Sequence, residues 1–270
     1  MLRKLFKYEW RATSRVLLPL YGSVLVMAII NRLFATINMH MLESATAGGL
    51  SFGLPQVIAG FVYGGLIIAS FIVTFVLLIQ RFYKSLLGDE GYLMFTLPVT
   101  VTQHIWVKTF VAAIMCVLSG VATLLSVFIL AFNGQNWLSL LKVFPEALQM
   151  MFKEPHLLGY TVEGVVWCVA GMLASILSVY LCIAIGHLAK RHRVAAAVGA
   201  YFGLSVVGQV VMFLVITLAD ATGFDFWFAN MAPVAAMHAG MLLLIVLTAA
   251  SGALFFFFTR LILTRRLNLE

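Results

Sequence analysis

Charged side chains are scarce in this sequence. Asp, Glu, Lys and Arg together make up 10% of its 270 residues, whereas 63% of the residues are hydrophobic. A soluble domain averages about 25% charged residues, because its surface must be wetted. The composition therefore excludes a soluble globular protein. The net charge of +7 does not indicate nucleic acid here, since basic residues beside apolar segments are typical of membrane topology signals and anionic lipid headgroups.

Cysteine is rare, and the motifs of catalysis are missing. Cys116, Cys168 and Cys182 lie in apolar runs without a Cys-x-x-Cys partner, so neither a metal site nor a disulfide framework is predicted. The sequence has no His-Glu-x-x-His, no Gly-x-Ser-x-Gly and no Gly-x-x-x-x-Gly-Lys-Ser/Thr phosphate loop. We therefore predict that this chain is not an enzyme, binds no metal or cofactor itself, and does not hydrolyse ATP by itself.

Long apolar runs are what the sequence has instead. Runs of about 20 residues with few charges are long enough to cross a bilayer as helices. Six are present, at 16–36, 57–79, 107–131, 162–187, 194–218 and 236–258. The sequence therefore predicts an all-α polytopic membrane protein with six transmembrane helices over residues 16–258. No removed leader is expected, because the first apolar run is too long for a signal peptide.

The basic residues are distributed unequally between the two sides that six spans define. An even number of spans puts both termini on one side of the membrane. Three of the 17 basic residues, Arg32, Lys142 and Lys153, fall on the opposite side. All the others fall on the side of the termini: Arg3, Lys4, Lys7, Arg11, Arg15, Arg81, Lys84, Lys108, Lys190, Arg191, Arg193, Arg260, Arg265 and Arg266. By the positive-inside rule this side is predicted to be cytoplasmic.

The centres of the six spans lack ionisable groups. Carriers driven by ion gradients place such groups near the middle of the bilayer, where they are costly and therefore functional. Here the nearest ionisable residues lie at span ends: Arg32, Lys108, Glu163, His187 and His238. Gln209 is the most central strongly polar side chain, and an interhelical hydrogen bond is its expected role. This pattern disfavours an ion-coupled carrier.

The segments outside the spans have distinct patterns. Residues 1–15 place apolar and basic side chains on different sides of a helix, which predicts an amphipathic helix at the cytoplasmic interface; an accidental pattern in a merely basic leader is the alternative. Residues 144–153 predict a short interfacial helix on the outer side, and residues 259–270 a cytoplasmic tail. The aromatic sequence within 219–235 fits either headgroup anchoring, which we prefer, or a re-entrant segment.

The stretch LLGDEGYLMFTLPVT, residues 86–100, interrupts the apolar chain within the second connection, the loop 80–106 between the second and third spans. Gly88 breaks the preceding helix, Asp89 can cap a new one, Glu90 suits its first turn and Pro98 ends it. The apolar face of this short helix consists of Tyr92, Leu93, Phe95 and Leu97.

A helix of two turns is unstable alone, so its apolar face must be covered. The residues leave two interpretations open: packing under its own bundle, or insertion into a groove on a soluble partner. Thr100 and Gln103 then match the capping-box pattern at the start of the third span.

Three stretches resemble a known family of membrane proteins. They are KYEWRATSRVLLPLY near the N-terminus, RFYKSLLGDEGYLMFTLPVT in the second connection and LTRRLNLE at the end. With these stretches the chain resembles, over essentially its whole length, the ABC-2 type permeases, particularly the small six-span permeases of Gram-positive bacteria. The second stretch is the most specific of the three.

The resemblance implies an exporter half in a bacterial plasma membrane. Two permease chains, identical or different, would work with two ABC-type ATP-binding subunits, which would hold ATP and Mg. A coupling helix would dock on the ATP-binding subunit through Asp89, Glu90, Tyr92, Leu93, Phe95 and Leu97. Arg81 and Lys84 would lie nearby as supporting basic contacts, and the amphipathic helix 1–15 would lie at the membrane interface near the same subunit.

Two Gly-x-x-x-Gly pairs are candidates for close helix packing. They are Gly60 with Gly64 in the second span and Gly199 with Gly203 in the fifth. Such pairs let backbones approach closely, within one chain or between two. We expect internal packing to be their main use.

Export of a lipophilic, lipid-like or peptide substrate is the leading functional hypothesis. The alternative is a non-transporting membrane module that senses a ligand or scaffolds a complex. Such a module would also lack catalytic residues and could also present a docking helix. An ATP-binding companion would favour the exporter.

Overall fold

Six long α-helices make up most of the structure. The computed structural model describes residues 2–44, 53–86, 99–131, 143, 145–146, 149–189, 191–223, 226 and 230–265. Its helices are α1 (Leu2–Ser44), α2 (Gly53–Leu86), α3 (Val101–Ala131), α4 (Pro155–His187), α5 (Arg193–Ala221) and α6 (Pro233–Arg265). Within these described ranges there is no β-strand. Each of the six helices is long and apolar enough to cross a membrane, which confirms the prediction of a multi-pass, all-helical membrane protein.

Every helix extends beyond the apolar run that predicted it. The hydrocarbon core is about 30 Å thick and needs about 20 helical residues. The 43 residues of α1 measure about 65 Å at 1.5 Å per residue, so a large part of this helix must lie outside the hydrocarbon or tilt. The connection between α2 and α3 is correspondingly shorter than the 80–106 expected, because α2 continues to Leu86 and α3 begins at Val101.

The N-terminal segment and the first span form one continuous helix. The sequence analysis divides them near residue 15, yet no residue between Leu2 and Ser44 leaves the helix, and Pro19 lies inside it. A proline removes one backbone hydrogen bond, whereas unwinding a segment in the bilayer would leave several backbone groups without partners. Continuation is therefore the less costly choice. The interfacial position of residues 1–15 stays a prediction.

Turn residues mark the ends of the later helices. Pro155 follows Glu154 at the first position of α4, where a missing N–H costs nothing. At the end of α5, the N–H of Gly223 donates to the Asp220 carbonyl at 3.1 Å. Gly223 has φ of 69°, the left-handed conformation that glycine adopts without strain.

The structure divides into two compact units. The first unit contains Met1–Gln80 and Phe110–Phe144, and the second contains Arg81–Thr109 and Pro145–Glu270. The first unit thus holds α1 and most of α2 and α3. The second unit holds the last turns of α2, the first turns of α3, and all of α4, α5 and α6.

Interhelical hydrogen bonds join the helices of the first unit. The Tyr21 hydroxyl lies 2.9 Å from Thr74 Oγ1 and donates to the Met115 carbonyl at 3.2 Å. Asn31 Nδ2 donates to the Ala59 carbonyl at 2.8 Å. The order of these contacts makes α2 antiparallel to both α1 and α3. Lipid is as apolar as the side chains, so such polar contacts matter for helix association.

In the second unit α4 packs against both α5 and α6. Glu163 contacts His238 and, further along both helices, a Cβ built on Gly252 would lie 3.4 Å from Ala174 Cβ. Contacts that advance together along both chains show that α4 and α6 run parallel. A Cβ built on Gly186 would lie only 2.5 Å from Ala197 Cβ, so the α4–α5 corner requires glycine there.

Candidate functional site

The six residues predicted to contact a partner lie outside the described residues. Asp89, Glu90, Tyr92, Leu93, Phe95 and Leu97 all fall within 87–98. Their conformation and their role stay predictions. What the structure describes is the framework in the second unit from which this segment leaves and to which it returns.

Buried aromatic packing holds the start of the segment. Phe82 on the last turns of α2 is 1% exposed, and its ring stacks on Tyr180 of α4 with centroids 3.9 Å apart and planes 11° apart. Tyr83 meets His187 edge-on at 6.0 Å. Leu86, the last helical residue, is fully buried. The chain therefore enters residue 87 from a position that packing fixes.

A helix cap holds the end of the segment. The Gln103 backbone N–H donates to Thr100 Oγ1 at 3.4 Å, and the Thr100 N–H donates to Gln103 Oε1 at 3.3 Å. These reciprocal bonds are a capping box, which confirms the sequence prediction at this site. The next residues, His104 and Ile105, are fully buried, so the start of α3 is also fixed by packing.

The last turns of α4 support both ends of the segment. The Tyr180 hydroxyl donates to the Lys108 carbonyl of α3 at 3.4 Å, while the Tyr180 ring stacks on Phe82 of α2. Residues 180–184 are all buried, which means that neighbours surround this part of α4 on every side. One helix end thus connects mechanically to both ends of segment 87–98.

A contact between α3 and α6 extends this framework. The rings of Trp106 and Phe256 lie 5.1 Å apart, and Thr259 and Leu263 of α6 are buried. The ends of α2, α4 and α6 and the start of α3 therefore meet at one end of the second unit. The side of the membrane on which this end lies stays a prediction.

Basic residues surround the same end of the second unit. Arg81 is half-buried and its carbonyl accepts a hydrogen bond from Ser85 Oγ at 2.7 Å, whereas Lys84 is exposed. Arg191 and Arg193 are exposed at the α4–α5 corner. Such a surface is electrostatically suited to an acidic partner or to anionic headgroups.

The four glycines predicted for packing have open surroundings. A Cβ built on Gly60, Gly64, Gly199 or Gly203 meets nothing within 4 Å. The internal packing expected of them is therefore not found in the described part of the chain. Among the described glycines, a built Cβ would meet a neighbouring atom within 4 Å at Gly159, Gly164, Gly186 and Gly252. Gly60 and Gly64 instead line a shallow apolar groove on α2 with Gly65 and Phe61.

A polar cluster at the start of α4 and α6 was missed by the sequence analysis as a unit. Glu163 Oε1 lies 2.8 Å from His238 Nδ1, and both side chains are mostly buried. The Tyr160 ring stacks on His238 at 4.2 Å, and a Cβ built on Gly159 would lie 2.9 Å from the His238 ring. The sequence places Glu163 and His238 at span ends. Their pairing could not be predicted from the sequence, because it depends on the parallel packing of α4 and α6.

Among the described residues no group of three His, Cys, Asp or Glu side chains is arranged to hold a metal ion. Cys116, Cys168 and Cys182 are free thiols.

Comparison of the chain with protein-family models, with curated proteins and with solved structures finds no match in any of the three.

Proposed function

We propose that this chain is the transmembrane permease subunit of an ATP-driven exporter of the ABC-2 type. A separate ATP-binding subunit would hold ATP and Mg and would dock on segment 87–98. The observation that carries the proposal is the double anchoring of this segment. Its start is held by the Phe82–Tyr180 stack and its end by the Thr100–Gln103 capping box.

A segment that is held at both ends can transmit movement to the helices that hold it. A push on a flexible loop dissipates within the loop, whereas a push on a segment with two packed ends moves the helices that hold it. Tyr180 joins α2 and α3 to α4, and the Glu163–His238 and Ala174–Gly252 contacts join α4 to α6. Motion at segment 87–98 would thereby reach the opposite end of the second unit.

The apolar spans agree with this mechanism. A pathway that opens and closes by helix movement needs no titrating group in the middle of the bilayer. The substrate class that such a pathway suits is lipophilic, lipid-like or peptidic. A second permease chain would need an apolar contact surface, and α5, which has no buried residue, provides one.

The first experiment identifies the companion. The tagged chain is extracted in mild detergent and the proteins captured with it are identified by mass spectrometry. We expect an ABC-type ATP-binding protein in the capture and ATPase activity in the eluate. A capture without any nucleotide-hydrolysing protein would favour the sensor or scaffold alternative.

The second experiment tests coupling. The double variant D89K/E90K should retain its helix content and its elution volume but lose substrate export with the captured subunit in proteoliposomes. The matched control is E146K/E154K, which reverses two exposed acidic residues on the predicted outer side and should export normally. Unchanged export by D89K/E90K would remove the coupling role of this segment.

A further inference from the structure

A surface groove with a volume of about 400 Å³, called the cavity below, lies between the first turns of α1 and the side of α3 in the first unit. Its lining consists of Arg3, Phe6, Lys7 and Trp10 of α1 and Ile114 of α3. The four α1 residues have the i, i+3, i+4, i+7 spacing of one helix face. The volume falls within the range of about 300–1,000 Å³ typical of small-molecule sites.

The walls and the rim of this cavity differ in chemistry. The Phe6 and Trp10 rings are nearly parallel, 11° apart with centroids at 6.4 Å, and they form an apolar wall with Ile114. Arg3 and Lys7 are exposed residues that line the cavity only with the apolar parts of their side chains, so their charged ends lie outside it. An anionic head joined to an aliphatic chain is the ligand chemistry that this combination fits.

Basic residues outnumber acidic residues in the first turns of α1. Glu9 is the single acidic residue among residues 1–15. It is only 6% exposed and lies on the buried face of α1 with Leu5 and Thr13. The remaining cations of this segment, Lys4, Arg11 and Arg15, are exposed on another face.

The predicted position of the first span places the cavity at the level of the lipid headgroups. Residues 3–10 precede the predicted start of the first span at residue 16 by about 9–20 Å along the helix. Lys and Arg clusters that adjoin a transmembrane helix are typical of anionic lipid binding, and aromatic rings are typical of this level of the membrane.

We propose that this cavity is a binding site for one anionic phospholipid. Its phosphate lies between Arg3 and Lys7, and one acyl chain lies along Phe6, Trp10 and Ile114. The site requires only that the chain is a membrane protein. It does not rest on the proposed export function, so failure of either proposal leaves the other standing.

Quenching of Trp10 fluorescence tests the site directly. In the full-length chain the other tryptophans, Trp106, Trp137, Trp167 and Trp227, are changed to Phe, and the protein is placed in phosphatidylcholine nanodiscs. Brominated phosphatidylglycerol should quench Trp10 in a saturating manner at low mole fraction. Brominated phosphatidylcholine should need a severalfold higher mole fraction. Equal quenching by both lipids would overturn the proposal.

Two charge variants separate the site from a diffuse positive surface. R3Q/K7Q should weaken the apparent affinity for brominated phosphatidylglycerol about thirtyfold, since each of the two basic residues contributes about 1 kcal/mol to such binding. The matched control K4Q/R11Q removes the same charge outside the cavity and should change the affinity less than about threefold. Equal losses in the two variants would contradict a discrete site.

Two further measurements complete the test. Inorganic phosphate at millimolar concentration should leave the quenching unchanged, and relief of quenching by phosphate would indicate a free-phosphate site instead of a lipid site. Native mass spectrometry of the chain with all its tryptophans should show a retained anionic lipid that R3Q/K7Q loses and K4Q/R11Q keeps. Because this measurement uses the chain with all its tryptophans, it tests the lipid site even when the single-tryptophan protein does not fold.

Discussion

Helices α4 and α5 are neighbours in the chain and both are apolar enough to cross a membrane, yet their surroundings differ completely. In α4 residues 180–184 are all buried, and its last turns hold α2 and α3 through Tyr180. In α5 no residue is buried along its entire length. Side chains such as Val198, Phe202 and Phe213 are at least half exposed.

The difference teaches that hydropathy does not distinguish a central helix from a peripheral one in a membrane protein. In water an apolar helix face must be buried, because exposure costs free energy. In a bilayer the lipid tails are as apolar as Leu, so the same face is stable against lipid or protein. Small residues at close approaches and polar contacts decide which helices associate.

The largest expected loss of stability comes from adding a side chain at the close contact between α4 and α5. Gly186→Leu would force a side chain into Ala197, whose Cβ and backbone lie 2.5–2.7 Å from a built Cβ. We expect the free energy of unfolding to fall by about 3 kcal/mol, measured by SDS titration of the purified protein. The control Gly203→Leu on α5 meets open space and should leave it unchanged. Equal losses would mean that α5 is as enclosed as α4.

A smaller loss is expected when an aromatic ring is removed from the supports of segment 87–98. Phe82→Ala deletes a 1% exposed ring that stacks on Tyr180 and should lower the free energy of unfolding by about 2 kcal/mol. This is less than the loss of about 3–5 kcal/mol that Phe→Ala causes in soluble cores, because lipid is as apolar as the protein interior and only the cost of the cavity remains. Phe202→Ala on α5 removes the same ring from a 65% exposed position. If the two variants unfold at the same midpoint, the Phe82–Tyr180 stack does not stabilise the second unit.

The smallest expected effect tests the contact at the other end of α4. Glu163→Gln removes the negative charge that faces His238 at 2.8 Å. A hydrogen bond of this kind loses strength without its charge, so a decrease of about 1 kcal/mol in unfolding free energy is expected. Thermal unfolding in detergent measures it against Glu154→Gln, which changes an exposed residue. A stable Glu163→Gln variant would show that the α4–α6 association does not need this pair.

Local features were predictable where the interacting residues are close together in the sequence. Thr100 and Gln103 form the predicted capping box because the bonds involve residues three apart. The continuity of α1 across residue 15 was not predictable, because a change of residue character neither stops a helix nor shows that it continues. Only the backbone around Pro19 shows that α1 continues.

Long-range features were less predictable. The sequence pointed to Gly60, Gly64, Gly199 and Gly203 through their spacing, whereas close approaches occur at Gly186 and Gly252. The Glu163–His238 pair joins residues 75 positions apart, and nothing local connects them. The predicted coupling residues 89–97 lie outside the described part of the chain. The structure describes only the residues that flank them, up to Leu86 and from residue 99 onward.

The amino-acid sequence by itself determined that this is a membrane protein and that its described part contains six helices long and apolar enough to cross a bilayer. Apolar runs of this length are stable in hydrocarbon, where the helix satisfies their backbone groups. The basic residues of the sequence predicted which connections share a side. Only the tertiary structure decided that the last turns of α4 are surrounded and α5 is not, and which glycines meet a neighbour. Lipid and protein interiors are equally apolar, so that choice depends on shape and a few polar contacts between helices distant in sequence.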